Sequence, residues 1–196
     1  MLTAIKNRRS IRKYKDQMVP KDLIEEILQA AILAPSSKNR QPWKFIVMTG
    51  KAKGEVLEIM SNGLKREQET PLLPQSAPYL NGAKQTLNIM EQAPVLIFIM
   101  NSLGMDIQLS LTPEERIFEL CNAQSIGAAI ENMTLAATEL GLGSLWICDT
   151  YFAYEELCAY LNAKGELMSA LAVGYADEAP HDRARNQIKD VVLWRD

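Results

Sequence analysis

The first group of residues able to do chemistry lies near the start of the chain, in the segment NRRSIRKY (7–14). Arg8, Arg9, Ser10 and Arg12 combine three guanidinium groups with a hydroxyl, and guanidinium forks bind phosphate oxygens through paired hydrogen bonds. The chain as a whole is acidic, with a formal net charge of -3. The basic excess is therefore local and favours one bound anion, although a solvated basic surface explains this segment equally well when it is taken alone.

Two other segments could contribute to the same site. The segment PSSKNRQPW (35–43) supplies neutral donors and acceptors, which can hydrogen-bond the polar rim of a heterocycle without adding charge. Near the other end, Arg183 and Arg185 alternate, so both would point to the same side of an extended chain and could close on the same phosphate. Taken singly, each segment is better explained as an ordinary polar loop.

Several other functions are disfavoured. A nucleic-acid surface needs a broad basic face with aromatic residues, whereas here the excess is local and only Tyr14 is near it. The single histidine, His181, disfavours a serine protease-like triad and multi-histidine metal sites, so no metal is expected. The longest uninterrupted apolar run, VLIFIM (95–100), has the length of a strand, so we expect no membrane span.

The cysteines and the glycines also limit the chemistry. Three scattered cysteines argue against a disulfide framework or zinc site and favour a reducing cytoplasm: Cys121, Cys148 and Cys158. The segment GLGSLW (141–146) ends a predicted helix and begins a strand, the reverse of a dinucleotide-binding turn. With little imidazole and no nucleotide fingerprint, the composition points to a bound cofactor that carries the reaction.

The elements that must position these residues form a single α+β domain spanning 1–196. Apolar periodicity and turn residues predict helices at 3–10 (with Thr3 as N-cap), 20–34, 51–61, 83–91, 112–140 and 153–162, and strands at 43–50, 95–100, 144–148 and 167–176. A capping box of Thr112 and Glu115 is expected to begin the long central helix, and Gly141 to end it. The proline-containing segment 62–82 is expected to be irregular, as a candidate lid, and the apolar tail 186–196 to be an arm lying over this chain or a partner.

Taken together and in this order, the segments resemble the nitroreductase family of flavoenzymes. The likeness rests on 8–12, 35–43, 141–147, the glycine and tyrosine at 174–175, and the paired arginines Arg183 and Arg185. It spans nearly the whole chain. The resemblance implies a three-layer sandwich, with a central, mainly antiparallel sheet flanked by helices, and an intertwined homodimer with FMN in each of two interfacial clefts.

The resemblance also implies roles for individual residues. Arg12 matches the basic residue beside the pyrimidine edge of the flavin and is the expected catalytic residue. Gln85 and Asn88 match positions where the family often has an asparagine and a lysine; the missing lysine leaves Arg12 as the main cation near the ring. The other cofactor-binding positions are Arg8, Arg9, Ser10, Arg183 and Arg185 for the phosphate and ribityl chain, Pro35, Ser36, Ser37 and Asn39 reaching over from a partner subunit, and Trp146, Ile147 and Cys148 beneath the ring.

The reaction implied is hydride transfer from NAD(P)H to flavin N5, followed by reduction of a nitroaromatic, quinone or similar acceptor in the same cleft, with ping-pong kinetics. Arg12 would stabilise the negative charge of the reduced flavin. Two alternatives stay open: a flavoenzyme of the same fold with another reaction, such as reductive dehalogenation or flavin cleavage, and a flavin-binding protein without turnover.

Overall fold

A four-stranded antiparallel sheet forms the centre of the protein, which is described here by a computed structural model covering residues 1–195. The strands are β1 (Trp43–Met48), β2 (Val95–Asn101), β3 (Gly143–Ile147) and β4 (Glu166–Gly174), in the spatial order β1-β2-β4-β3. Every residue of β2 is buried, because this apolar strand is covered on both faces. β3 lies at one edge of the sheet, so it is free to meet other segments of the chain.

The part of the chain that the structure describes also contains seven helices. They are α1 (Thr3–Asn7), α2 (Lys21–Ile32), α3 (Gly50–Glu69), α4 (Leu80–Gln92), α5 (Pro113–Glu139), α6 (Tyr154–Leu161) and α7 (Ile188–Val191), with short 3₁₀ helices at Ser37–Asn39, Ala77–Tyr79 and Asp149–Ala153. Apolar residues of α3, α4 and α6 pack on one face of the sheet, and those of α2 and α5 pack on the other. The predicted α+β sandwich of three layers is therefore confirmed. Among residues 1–195, no helix combines the length and the apolar character that crossing a bilayer requires.

The long helix α5 begins and ends as its sequence predicts. The Thr112 hydroxyl accepts a hydrogen bond from the Glu115 N–H (3.3 Å), and the Glu115 carboxylate accepts one from the Thr112 N–H (2.8 Å). At the other end Gly141 takes a left-handed conformation with φ of +74°. Small residues on the buried side, including Ala129 and Ala137, allow the helix to approach the sheet closely.

Predicted features at the ends of two helices are wrong. Thr3 is the first helical residue of α1, not its N-cap, and Leu2 takes that position without a side-chain hydrogen bond; α1 also ends at Asn7 rather than at residue 10. Helix α3 runs to Glu69 rather than ending near residue 61, so the first part of the predicted irregular segment 62–82 is helical. The extension is stabilised by tertiary packing, since Gly63 lies against Ala153 and Leu64 is buried.

The irregular part of that segment lies between α3 and the 3₁₀ turn at Ala77–Tyr79, and a buried carboxylate of α3 holds its first residues. Glu67 is 1% exposed, and its carboxylate accepts hydrogen bonds from the Leu72 N–H (2.7 Å) and the Leu73 N–H (3.0 Å). Burial by itself would raise the pKa of Glu67, but these bonds and side-chain hydrogen bonds from Ser76 and Arg66 outweigh it and lower that pKa. The loop is thus fixed at its first residues, and a lid function for it remains a prediction.

The connection between α2 and β1 is held in an uncommon backbone conformation. Lys38, Asn39 and Gln41 have φ of +53°, +53° and +49°, values that L-residues adopt rarely and at a cost. Two hydrogen bonds hold the loop in place: the Ser37 N–H donates to the Ser125 hydroxyl of α5 (3.2 Å), and the Gln41 N–H donates to the Ser36 hydroxyl (3.0 Å).

Replacing Lys38 by glycine should relieve this backbone cost. We expect Lys38→Gly to raise the free energy of unfolding relative to Lys38→Ala by roughly 1 kcal/mol, because alanine keeps the steric penalty of the left-handed region and glycine does not. Urea denaturation of both variants measures the difference. Equal stability of the two would show that residue 38 does not hold this conformation in solution.

A second expectation concerns acids near the start of β4. Glu166 pairs in register with Asn101, whose amide donates to the Glu119 carboxylate (3.0 Å). Burial raises the pKa of Glu166 to about 7, and the charges of Glu119 and Asp106 add to the effect. Because an unfolded chain releases this proton near pH 4.5, the folded state loses stability as the pH rises from 4.5 to about 7.

Removing the ionisable group should remove that loss. We expect Glu166→Gln to gain stability over the wild-type protein when the pH is raised from about 5 to about 8, as measured by urea denaturation at both pH values. Glu58→Gln, at an exposed position of α3, provides the control. A stability difference that does not change with pH would contradict the raised pKa.

Candidate functional site

The first half of the site is a stretch of chain that lies alongside the edge strand β3. Ser10 forms a parallel bridge with Ser144, and the Ile11 N–H donates to the Ser144 carbonyl (2.9 Å). Gly143 makes this approach sterically feasible, because a Cβ there would lie 2.7 Å from a side-chain carbon of Ile11. With Ile11 buried, the neighbouring Arg12 is left exposed. The sheet edge therefore fixes the backbone of the basic segment.

The second half is joined to the first by backbone hydrogen bonds. After β4 ends, the Lys15 N–H donates to the Tyr175 carbonyl (2.9 Å) and the Asp177 N–H donates to the Lys13 carbonyl (2.9 Å). The buried hydroxyl of Tyr14 donates to the Ile11 carbonyl (2.9 Å). Burial raises the pKa of Tyr14, so the hydroxyl stays a protonated donor. Residues at the two ends of the sequence are thus held side by side.

A cavity of about 270 Å³, which we call the cationic cavity, opens between the two halves. It is lined by all six residues predicted from the first and third sequence segments: Arg8, Arg9, Ser10, Arg12, Arg183 and Arg185. Lys6 and His181 also line it, and Asp182 is the one acid among the lining residues described. Guanidinium groups and a hydroxyl around a concentrated positive charge suit a phosphate monoester such as that of FMN.

Arg9 fastens the two halves of the cavity together. Its guanidinium forms an ion pair with Asp182, and it donates to the carbonyl oxygens of Lys6 and Arg8 (both 2.7 Å). Most of its hydrogen-bonding groups are therefore engaged by the protein itself. Arg8 lies 3.9 Å from a carboxylate oxygen of Glu131, a longer and weaker contact that leaves its guanidinium freer for a ligand.

Two acids escaped the sequence reasoning. Asp182 pairs with Arg9, and the Glu178 carboxylate accepts a hydrogen bond from the backbone N–H of Arg12. The one feature of the sequence that could have indicated them is the segment GYADEAPHDRAR (174–185), in which acids precede a pair of arginines. An irregular loop has no periodicity from which the partner of an acid could be predicted. The role of these acids becomes clear only when the structure places the two ends of the chain side by side.

The end of β3 supplies an exposed surface at the same edge of the sheet. Trp146 and Cys148 are exposed and Ile147 is buried, as alternation along a strand requires. Because Ser10 and Ser144 run parallel, the chain proceeds from them towards Arg12 and towards Trp146 in the same direction. Burial, with Asp149 adding to the effect, raises the pKa of Cys148, which favours the thiol over the thiolate.

The remaining predicted residues lie outside the cationic cavity. Pro35, Ser36, Ser37 and Asn39 belong to the left-handed loop packed on α5, while Gln85 and Asn88 are exposed on α4. Within one chain the structure therefore brings together the predicted phosphate-binding residues, and it does not bring the predicted loop or the α4 residues to them. Their contact with a flavin remains a prediction.

The similarity of the chain to known proteins agrees with this architecture. It is 36% identical over 146 residues to a protein of Methanothermobacter thermautotrophicus provisionally named NADH dehydrogenase/NAD(P)H nitroreductase, and that match covers 74% of this chain. The chain spans 59% of the length of this relative and 66% of that of a similarly named protein of Archaeoglobus fulgidus.

Two solved structures share the fold over nearly the whole chain. One is a BluB-like flavoprotein from Clostridium difficile, with 27% identity, a TM-score of 0.80, and coverage of 98% of this chain and 97% of the other. The second is a provisionally assigned nitroreductase from Desulfovibrio desulfuricans in complex with FMN, with 25% identity, a TM-score of 0.72, and coverage of 98% and 95%. A model of the nitroreductase family matches residues 5–175, and the chain therefore belongs to that family.

Proposed function

We propose that this protein is an FMN-dependent oxidoreductase that takes reducing equivalents from NAD(P)H and passes them to a nitroaromatic, quinone or similar acceptor in a ping-pong sequence. The observation that carries the proposal is the cationic cavity, which unites basic residues from both ends of the chain. Support comes from the fold, which is shared with a structure containing FMN, and from the name of the archaeal relative.

The binding roles follow from which hydrogen-bonding groups of each side chain have no partner among the described residues. Arg8, Ser10, Arg183 and Arg185 would hold the phosphate, because they line the cavity and their polar groups are directed to few strong protein partners. Arg9 would contribute charge while it ties the loop carrying Asp182 to the N-terminal segment. The exposed surface at Trp146 and Cys148 would lie beneath the ring.

Bound FMN would supply the two-electron chemistry, since no side chain here can accept a hydride. The role of Arg12 is electrostatic: its fixed positive charge would stabilise the negative charge that reduction places on the ring. Its guanidinium donates to the Ser10 carbonyl (3.2 Å), which keeps it on the side of the cavity. No histidine is needed for this role, in agreement with the single, exposed His181.

We also propose that the active form is a homodimer. The exposed arm after residue 186 carries apolar side chains, among them Val191 (64% exposed), Leu193 (76%) and Trp194 (79%), which one chain leaves in water. The polar loop of Ser36, Ser37 and Asn39 does not line the cavity of its own chain, so it is available to a second copy. Neither a nucleic acid nor a membrane forms part of the proposal, and the three free cysteines favour the cytoplasm.

The purified protein provides the direct test. It should be yellow or take up added FMN, sediment as a dimer, and lose its flavin absorbance anaerobically when NADH or NADPH is added. A flavoprotein that neither nucleotide bleaches would contradict the proposed reaction and favour the alternative flavin chemistries or a binding protein. A colourless protein that cannot bind FMN would overturn the cofactor itself, and a flavin-loaded monomer would overturn the dimer.

Replacing Arg12 should separate binding from reduction. We expect Arg12→Ala to retain FMN but to slow anaerobic flavin reduction by about tenfold, less than the loss of a buried donor would cost, because Arg12 is exposed. Stopped-flow absorbance measures this rate. Lys13→Ala, which removes an exposed positive charge one residue away, should reduce at the wild-type rate; an equal loss in both variants would assign the effect to general charge.

A further inference from the structure

One acidic side chain is aimed at the backbone of the residue that the proposed function places beside the flavin. The Glu178 carboxylate accepts a hydrogen bond from the Arg12 N–H, across 166 positions of sequence. Glu178 is half-buried and does not line the cationic cavity; it lines an adjoining one with Arg9, Ile11 and Pro180. Its carboxylate therefore contacts the backbone of Arg12 without lining the ligand space.

The other acids near the cationic cavity face different partners. Asp182 pairs with Arg9, and Glu131 of α5 lies nearest Arg8. Arg12 has no ion-pair partner of its own among the described residues. Tyr14 lies close to both Arg12 and Glu178: burial raises the pKa of its hydroxyl, the charge of Glu178 raises it further, and the charge of Arg12 lowers it. The charges of Glu178 and Arg12 therefore act on the same group, the Tyr14 hydroxyl, in opposite directions.

We propose that Glu178 is a positioning residue that fixes the main chain of Arg12 and offsets part of its positive charge, and thereby sets the reduction potential of the bound flavin. This inference rests on the proposed function, since it presumes FMN in the cationic cavity. No new reactant is involved: reduction adds two electrons to the flavin, and Glu178 changes only how favourable the resulting negative charge is.

The two parts of the role can be separated by substitution. Glu178→Gln keeps a carbonyl oxygen able to accept from the Arg12 N–H and removes the charge. Glu178→Ala removes both and leaves the N–H without its partner. When only the charge is removed, less of the positive charge of Arg12 is offset near the flavin ring. The protein should then bind reduced FMN more tightly relative to oxidised FMN. By thermodynamic linkage that gain is a positive shift in the reduction potential.

The experiment compares the FMN-loaded wild-type protein with three variants, Glu178→Gln, Glu178→Ala and Asp177→Asn. Asp177→Asn is the matched control: the same charge is lost one residue away, from an exposed side chain without a hydrogen bond or ion pair among residues 1–195. Fluorescence titration gives the dissociation constant of oxidised FMN, and anaerobic equilibration with a reference dye gives the potential.

We expect Glu178→Gln to leave the dissociation constant unchanged and shift the potential to a more positive value, and Glu178→Ala to weaken oxidised FMN binding by about tenfold. Asp177→Asn should change neither. A Glu178→Gln potential equal to that of the wild-type protein or of Asp177→Asn would overturn the inference.

The outcomes also distinguish this inference from the proposed function. Wild-type protein that binds FMN and is bleached by NAD(P)H, with no potential shift in Glu178→Gln, would overturn the inference alone. Wild-type protein that does not bind FMN would overturn both. If Glu178→Ala fails to fold, Glu178→Gln and its control still decide the question, because the glutamine keeps the hydrogen bond.

Discussion

The site depends on the meeting of the two ends of the chain beside strands β3 and β4. Gly143 pairs with Gly174, so the start of β3 and the end of β4 lie next to each other. The N-terminal segment forms a hydrogen bond with β3 at Ser144. It forms another with Tyr175, in the chain that follows β4. If either attachment were lost, the basic residues of 8–12 and of 183–185 would be separate surface charges with no cavity between them.

This meeting is electrostatically unfavourable without a ligand. Several guanidinium groups share a small space, well within the roughly 10 Å over which salt screens exposed charges. Acids beside these groups offset part of the repulsion: Asp182, which lines the cavity, pairs with Arg9, Glu131 lies near Arg8, and Glu178 accepts a hydrogen bond from the Arg12 N–H. A dianionic phosphate would relieve the rest, so binding of such a ligand should stabilise the folded chain.

Residue type and order were enough to predict which basic residues line the cavity, whereas contacts between residues distant in sequence could not be predicted. Arg8, Ser10, Arg12, Arg183 and Arg185 become recognisable only when the separate segments are considered together, because each segment alone is explained as well by a solvated surface or a polar loop. Glu178 could not be predicted, because its meaning comes from a partner 166 positions away. The helical pattern of α5 predicted both its ends, where capping is local, whereas α3 continues past residue 61 because of packing against the segment around Ala153.

The strained loop between α2 and β1 connects the fold to the question of a second copy. Three departures from ordinary backbone geometry, at Lys38, Asn39 and Gln41, cost free energy, and hydrogen bonds to Ser125 and Ser36 hold the loop in this conformation. The conformation orients polar groups, yet they do not line the cavity of their own chain. A geometry so restrained is expected where its groups must meet a ligand. In the proposed homodimer, a cavity completed by the second chain would give this loop such a ligand, and the exposed apolar arm would give that chain a surface on which to bind.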